Sequence, residues 1–152
     1  MKKPSARLAI VLIALASPLL LAQQASTQHI PTAAKEPASR AHVLTVSELD
    51  ALLAKPGQVL LIDVRRPDEV SSIGGFPVYL SIQAAELEKH LAWIPKDRTI
   101  VTVSNHAGRA GKAADLLSSR GFKVAGAVGA ETYEKDGGRI AHIQVPTQAT
   151  DK

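Results

Sequence analysis

Short apolar runs alternate along this chain with segments whose apolar residues recur every three or four positions, and that alternation predicts its elements. His42 to Leu44 reads as an edge strand. Thr45-Val46-Ser47-Glu48 has capping-box spacing, with Thr45 as N-cap and Glu48 reaching back. The helix it opens carries Val46, Leu49, Leu52 and Leu53 on one face and ends near Pro56-Gly57. Gln58 to Val64 (QVLLIDV) is a continuous apolar run with β-branched residues, the pattern of a strand buried on both faces. Val78 to Ile82 is a weaker strand. Glu86 to Trp93 is helical, with Leu87, Leu91 and Trp93 turned inward, and stops before Pro95. Thr99 to Val103 (TIVTV) is a second buried strand, Ser104 to Arg109 a short polar loop, and Ala110 to Arg120 a helix closed by Gly121 in the left-handed region. Lys123 to Ala125 begins a further strand, and Glu131 to Lys135 forms a short helix before Gly137-Gly138. Strands alternating with helices imply parallel pairing, so the expected fold class is α/β, a small open parallel sheet flanked by helices.

In such a sheet, sites form beyond the carboxyl ends of the strands. Two segments end strands that way: Asp63-Val64-Arg65, and the loop Ser104-Asn105-His106-Ala107-Gly108-Arg109. The loop runs from a buried strand into a helix N-terminus, where backbone N–H groups and the helix dipole favour an anion such as sulfate, phosphate or thiosulfate. Arg109 reads equally as a forked donor to that anion or as a brace for the loop. For Asp63 and Arg65 the plainer reading leads, in which the carboxylate bonds loop amides and Arg65 pairs nearby.

The chain's ends alter the picture of its charge. Met1-Lys2-Lys3 and Arg7, the apolar run from Leu8 to Ala22 and the small residues from Ala22 to Ala25 have the order of a bacterial secretory signal, with cleavage near residues 22–25. At about 15 residues and broken by Pro18, the run is short for a membrane span, so the membrane enters only through an uncleaved signal. Losing Lys2, Lys3 and Arg7 takes the formal charge of +4 down by three, to +1. Residues 23–41 read as a flexible linker, 42–145 as one domain, and 146–152 as a disordered tail. The expected location is periplasmic or secreted. With no basic stripe and few aromatics, nucleic acid is not an expected partner. The five histidines show no metal-ligand spacing, so neither a metal nor a cofactor is expected.

The chain contains no cysteine. That rules out disulfides, thiol catalysis and thiolate metal sites, and with cleavage at residue 22 it also excludes a lipid-anchored cysteine.

Three segments together resemble the rhodanese family: LLIDVRRPDE (Leu60 to Glu69) its opening motif, IVTVSNHAGRAGKAADLLSSRGFKV (Ile100 to Val124) its active-site strand, loop and helix, and VGAETYEKDGG (Val128 to Gly138) its closing segment. The likeness spans about residues 42–141, while the family's Gly-His-Ile-Pro-Gly-Ala-like stretch is only faintly present around Ser72-Ile73-Gly74-Gly75. In that family a cysteine opens the loop and carries sulfane sulfur as a persulfide. Counting back from Lys112-Ala113-Ala114 places Ser104 on that cysteine, Arg109 on the loop-closing arginine and Ala107 where glycine is usual. The alternative register puts Asn105 on the cysteine and Gly108 on the glycine. Neither supplies a thiol, and a serine hydroxyl neither ionises readily nor forms a persulfide.

The resemblance therefore implies an exported rhodanese-like domain without its nucleophile, a non-catalytic module binding a small oxyanion or an unidentified periplasmic protein. Two alternatives stand beside it. One is ester chemistry on phosphate or sulfate through the Ser104–Arg109 loop, with Ser104 as nucleophile and His106 as base. The other is a role in sulfur transfer that borrows a partner's thiol. For Ser104 the plainer reading is a small polar residue bonding loop backbone, and for Trp93 and Tyr133 it is core or rim packing.

Overall fold

A computed structural model describes residues 38–142; the signal, most of the 23–41 stretch, the last residues 143–145 of the expected domain and the 146–152 tail lie outside the described residues. The first element is helix α1 (Val46–Leu53), and its capping box is present: the Thr45 hydroxyl accepts the Glu48 N–H, and the Glu48 carboxylate accepts the Thr45 N–H at 2.8 Å. Strand β1 (Val59–Asp63) follows, then helix α2 (Pro67–Ile73), strand β2 (Leu80–Ser81) and a 3₁₀ segment (Leu87–Trp93). Strand β3 (Thr99–Ser104), helix α3 (Gly108–Ser119), strand β4 (Val124–Gly129) and helix α4 (Ala130–Lys135) complete the order.

All four strands are parallel, in the order β2-β1-β3-β4. From β1 the chain goes first to one side of the sheet and then, at β3, to the other. The carboxyl ends of β1 and β3 therefore lie side by side where the order reverses, the crevice in which open α/β sheets place their sites. The register pairs Asp63 with Val103, which sets Asp63-Val64-Arg65 beside the Ser104 loop.

Two apolar layers hold the sheet. Alternate residues of a strand face opposite sides, so Leu61, Val101 and Val103 join Leu49, Phe76 and Tyr133 on one face. Ile62 and Ile100 join Leu87, Ala113 and Leu117 on the other. The continuous runs of β1 and β3 thus supply both layers, which is why neither strand alternates with polar residues.

The sequence locates β1, β3, α1 and α3 well and misses in four places. Helix α2 has no counterpart among the expected elements: it buries only Val70, so no apolar period marks it. The strand expected over Val78 to Ile82 shrinks to Leu80–Ser81, with Val78 81% exposed. The Glu86 to Trp93 segment winds as 3₁₀ with a kink at His90, and Trp93 faces outward, 66% exposed and stacked on the His90 ring. The strand begun at Lys123 runs on to Gly129, although Gly126 and Ala127 carry no β-branched side chain; smallness matters there, since a Cβ on Gly126 would stand 2.5 Å from the His42 carbonyl oxygen.

The same close approach seats the expected edge segment on β4. Val43 bridges Ala127, the Leu44 N–H donates to the Ala127 carbonyl at 2.9 Å, and the Ala127 N–H donates to the His42 carbonyl at 2.8 Å. Just before it, the Arg40 N–H donates to Asp115 of α3, and Ser39 packs against Gly111. At the far end of α3, Gly121 (φ 78°) is left-handed as expected. Its N–H donates to the Ser118 carbonyl and that of Phe122 to the Leu117 carbonyl, a Schellman closure. Among the described residues no helix is long and apolar enough to cross a membrane.

Candidate functional site

Asp63, Arg65 and the Ser104–Arg109 loop lie at the carboxyl ends of β1 and β3, but not all in the expected role. Ser104 is the last residue of β3 and is 1% exposed; its hydroxyl oxygen accepts the Ala110 N–H at 3.1 Å. It thereby caps an inner amide of α3, the backbone-bonding role of the plainer reading. Thr102, two residues earlier, donates its hydroxyl to the Ala110 carbonyl at 2.7 Å. Strand β3 thus grips both polar groups of the same peptide-forming residue and fixes where the helix begins.

Between them the chain turns at Ala107, which is buried and left-handed (φ 65°), the one non-glycine residue with positive φ among those described. Helix α3 starts at once with Gly108 rather than at Ala110 as expected. A left-handed residue directly before a helical one tips successive N–H groups to one side, the arrangement of an anion-binding nest. Among the described residues the N–H groups of Asn105, His106, Ala107, Gly108 and Arg109 meet no acceptor. The loop's other flank rests on β4. A Cβ on Gly129 would stand 2.8–2.9 Å from backbone atoms of Asn105, His106 and Ala107, so only glycine lets the loop settle there, and the Glu131 N–H donates to the Asn105 carbonyl.

Behind the loop, Asp63 and Arg65 are buried and paired. The Asp63 carboxylate accepts Arg65 Nε at 2.9 Å, Nη2 at 2.7 Å and the Arg65 backbone N–H at 3.0 Å. Arg65 is a fully buried cation, held by the residue two positions before it. Its remaining nitrogen, Nη1, reaches Asn105 Oδ1 at 3.5 Å.

The residue that sequence reasoning missed is Glu69. From the first turn of α2 it accepts four hydrogen bonds: from Asn105 Nδ2 at 2.9 Å, from Arg109 Nη2 at 2.5 Å and Nη1 at 2.8 Å, and from the Arg66 N–H at 3.0 Å. The Arg109 guanidinium beside Glu69, with the Arg66 N–H, holds its carboxyl at about 2, so it remains charged at any ordinary pH. Burial opposes that shift and is outweighed. In turn Glu69 raises the Arg109 pKa above its usual value. Arg109 therefore braces the loop and already holds a carboxylate in its fork, the internal counterpart of the expected anion. The local signal for Glu69 was available: Arg66-Pro67-Asp68-Glu69 sets proline at the first helical position and a glutamate two residues later, where it reaches back to the Arg66 N–H.

His106 is 72% exposed at its side chain and stands 3.6 Å from Glu131, not paired with Ser104. Outside the loop, a depression of about 530 Å³ is lined by Ser39, Val43, His106, Ala107, Arg109 and Lys112. No group of His, Asp and Glu among the described residues is arranged to hold a metal ion.

These features define a parallel α/β domain with a strand–loop–helix cradle at its switch point, opened by a serine. The chain belongs to the rhodanese-like domain family, whose model matches residues 45–138. Among solved structures it is similar to a rhodanese-related protein from Thermoplasma volcanium, at 20% identity and a TM-score of 0.57, over 66% of this chain and 97% of that one. A rhodanese-like domain protein from Staphylococcus aureus, at 22% identity and a TM-score of 0.55, is covered over 98% of its length by 67% of this chain. Similarity to a thiosulfate sulfurtransferase from Pseudomonas aeruginosa reaches 26% identity and a TM-score of 0.56 over 68% of this chain but only 21% of that much longer one. No curated protein matches the chain.

Proposed function

We propose that this is an exported, periplasmic rhodanese-like domain that does not transfer sulfur and instead binds a small oxyanion in the Ser104–Arg109 loop. The observation carrying this reading is the run of backbone N–H groups from Asn105 to Arg109 without an acceptor among the described residues, around a loop whose opening residue is serine. Donors left without partners at a helix start are matched by an anion, and a chain without cysteine has no atom to carry a persulfide. Thiosulfate, sulfate and phosphate all present oxygens of suitable size. The loop-to-protein alternative has less support, because the loop offers no exposed large apolar side chain to a partner. Ester hydrolysis has less still: Ser104 bonds the Ala110 N–H, His106 lies 3.6 Å from Glu131, and the serine hydroxyl is nearly inaccessible.

Calorimetric titration of the purified protein with thiosulfate, sulfate and phosphate tests the reading; saturable one-to-one binding to at least one of them is expected. The wild type should give no thiosulfate-to-cyanide sulfur transfer. Ser104→Cys, which sets a thiol where the Ala110 N–H already points, should acquire some. A folded protein that binds none of the three anions, with a folded but silent Ser104→Cys, would sink the proposal.

A further inference from the structure

Resting on that reading of the loop, we infer that Glu69 is its specificity-determining residue, an internal carboxylate that disfavours doubly charged anions relative to singly charged ones. The argument begins from its fixed position. Four donors from α2, the loop and α3 hold both of its oxygens, and its side chain is 17% exposed. A carboxylate so held does not swing away as an exposed glutamate would. It cancels the charge of Arg109, leaving the loop with neutral amide donors, and it adds a fixed negative charge beside them.

Coulomb energy is proportional to the charge on each partner. A fixed carboxylate therefore penalises a dianion twice as much, in free energy, as a monoanion at the same place. Removing that charge while keeping the shape should improve monoanion binding by some factor and dianion binding by the square of that factor. A role confined to bracing the loop would change both affinities by the same factor. The squared relation is the signature of selection by charge.

Glu69→Gln removes the charge at nearly constant shape; its one carbonyl oxygen can still accept the Arg66 N–H and one Arg109 donor, while its amide nitrogen no longer accepts from Asn105 and the second Arg109 donor, a bracing loss that weighs on both anions alike. The probes are methanesulfonate and sulfate, which share the same sulfur–oxygen face and differ by one charge. At the solvated-pair value for a unit charge, Glu69→Gln should tighten methanesulfonate about fivefold and sulfate about twenty-five-fold. Glu69→Asp keeps the charge and should keep the wild-type ratio of the two affinities. Equal gains for both anions in Glu69→Gln, or gains under twofold for both, would overturn the selector role while leaving oxyanion binding in place. So would a Glu69→Asp ratio that moves with that of Glu69→Gln. Absence of binding by either probe to wild type and Glu69→Gln alike, both folded by circular dichroism, would overturn the selector and the loop site together.

Discussion

Replacing Asp63 by alanine strips the Arg65 guanidinium of the carboxylate that takes its Nε, its Nη2 and its backbone N–H. Arg65 is 0% exposed and Asp63 1% exposed, so water cannot take over those bonds, and among the described residues the one hydrogen bond left to the guanidinium is the 3.5 Å approach to Asn105. Removing one partner of a buried ion pair costs about 3–5 kcal/mol, because the survivor is a buried, uncompensated charge. Small domains are stable by about 5–15 kcal/mol in all, so Asp63→Ala should remove a large part of the stability. For a domain of this size the unfolding midpoint should fall on the order of 20 °C.

The companion double variant separates an unpaired charge from a packing defect. Asp63→Ala with Arg65→Met deletes the cation and keeps most of its apolar bulk, and replacing both partners by apolar groups is often close to neutral. The double variant should therefore recover more than half of the single loss, a coupling that urea unfolding followed by circular dichroism measures directly. A cost below about 1 kcal/mol for Asp63→Ala, or additive losses in the double variant, would show that Arg65 is not an obligatory buried charge.

Other consequences are as direct. Glu69 has its folded pKa depressed from 4.5 to about 2, so it contributes stability above pH 4.5 that is lost as pH falls towards 2; the gap in thermal midpoint between wild type and Glu69→Gln should close over that interval in a pH series. Ala107→Gly relieves a left-handed alanine, worth about 1–2 kcal/mol, against a smaller entropic cost in the unfolded chain. A net gain of roughly 0.5–1 kcal/mol in chemical denaturation is expected, and a loss would mean that the Ala107 side chain packs better than its backbone fits. Gly129→Ala puts a Cβ against three backbone atoms of the loop, which cannot rotate aside; anion titration should fall with the global fold retained, and unchanged binding would show that the loop yields there. Gly138→Ala places a Cβ 2.3–2.5 Å from the Tyr133 ring, so it should disturb the contact of Tyr133 with Phe76 and lower the midpoint without changing anion affinity.

The part of the fold that was legible in the sequence is the part whose cause is local. QVLLIDV and TIVTV announce β1 and β3 because a doubly buried strand needs an uninterrupted apolar run, and Thr45 to Glu48 announces α1 because its caps lie three residues apart. Trp93 reads as an inward residue only if the segment is an α-helix. In a 3₁₀ winding kinked at His90 the same spacing turns it to solvent. Helix α2 escapes because one apolar residue sets no period, although Pro67 and Glu69 mark its start. The second half of strand β4 escapes because its Gly126 and Ala127 suit the close approach of the His42–Leu44 segment, a constraint exerted from more than eighty positions away.

The candidate site divides along the same line. That a buried strand runs into a polar loop near Ser104 and that a helix follows near Arg109 are read from neighbours in sequence, each within two residues; the left-handed turn at Ala107 is not. Nor is what Arg109 holds, because Glu69 lies 40 residues earlier on an element with no apolar signature. This non-local pair changes the chemistry expected of the loop. An arginine facing an empty cradle would draw any oxyanion in proportion to its charge. An arginine already paired leaves, in the proposed reading, recognition to neutral amides beside a carboxylate that disfavours charge. Ser104 accepts the Ala110 N–H and is 1% exposed, and no base among the described residues is hydrogen-bonded to its hydroxyl. In the proposed reading, the bonds from Arg109 to Glu69 and from the Ala110 N–H to Ser104 hold the loop in place, so a loop without a thiol keeps a shape in which to hold an anion.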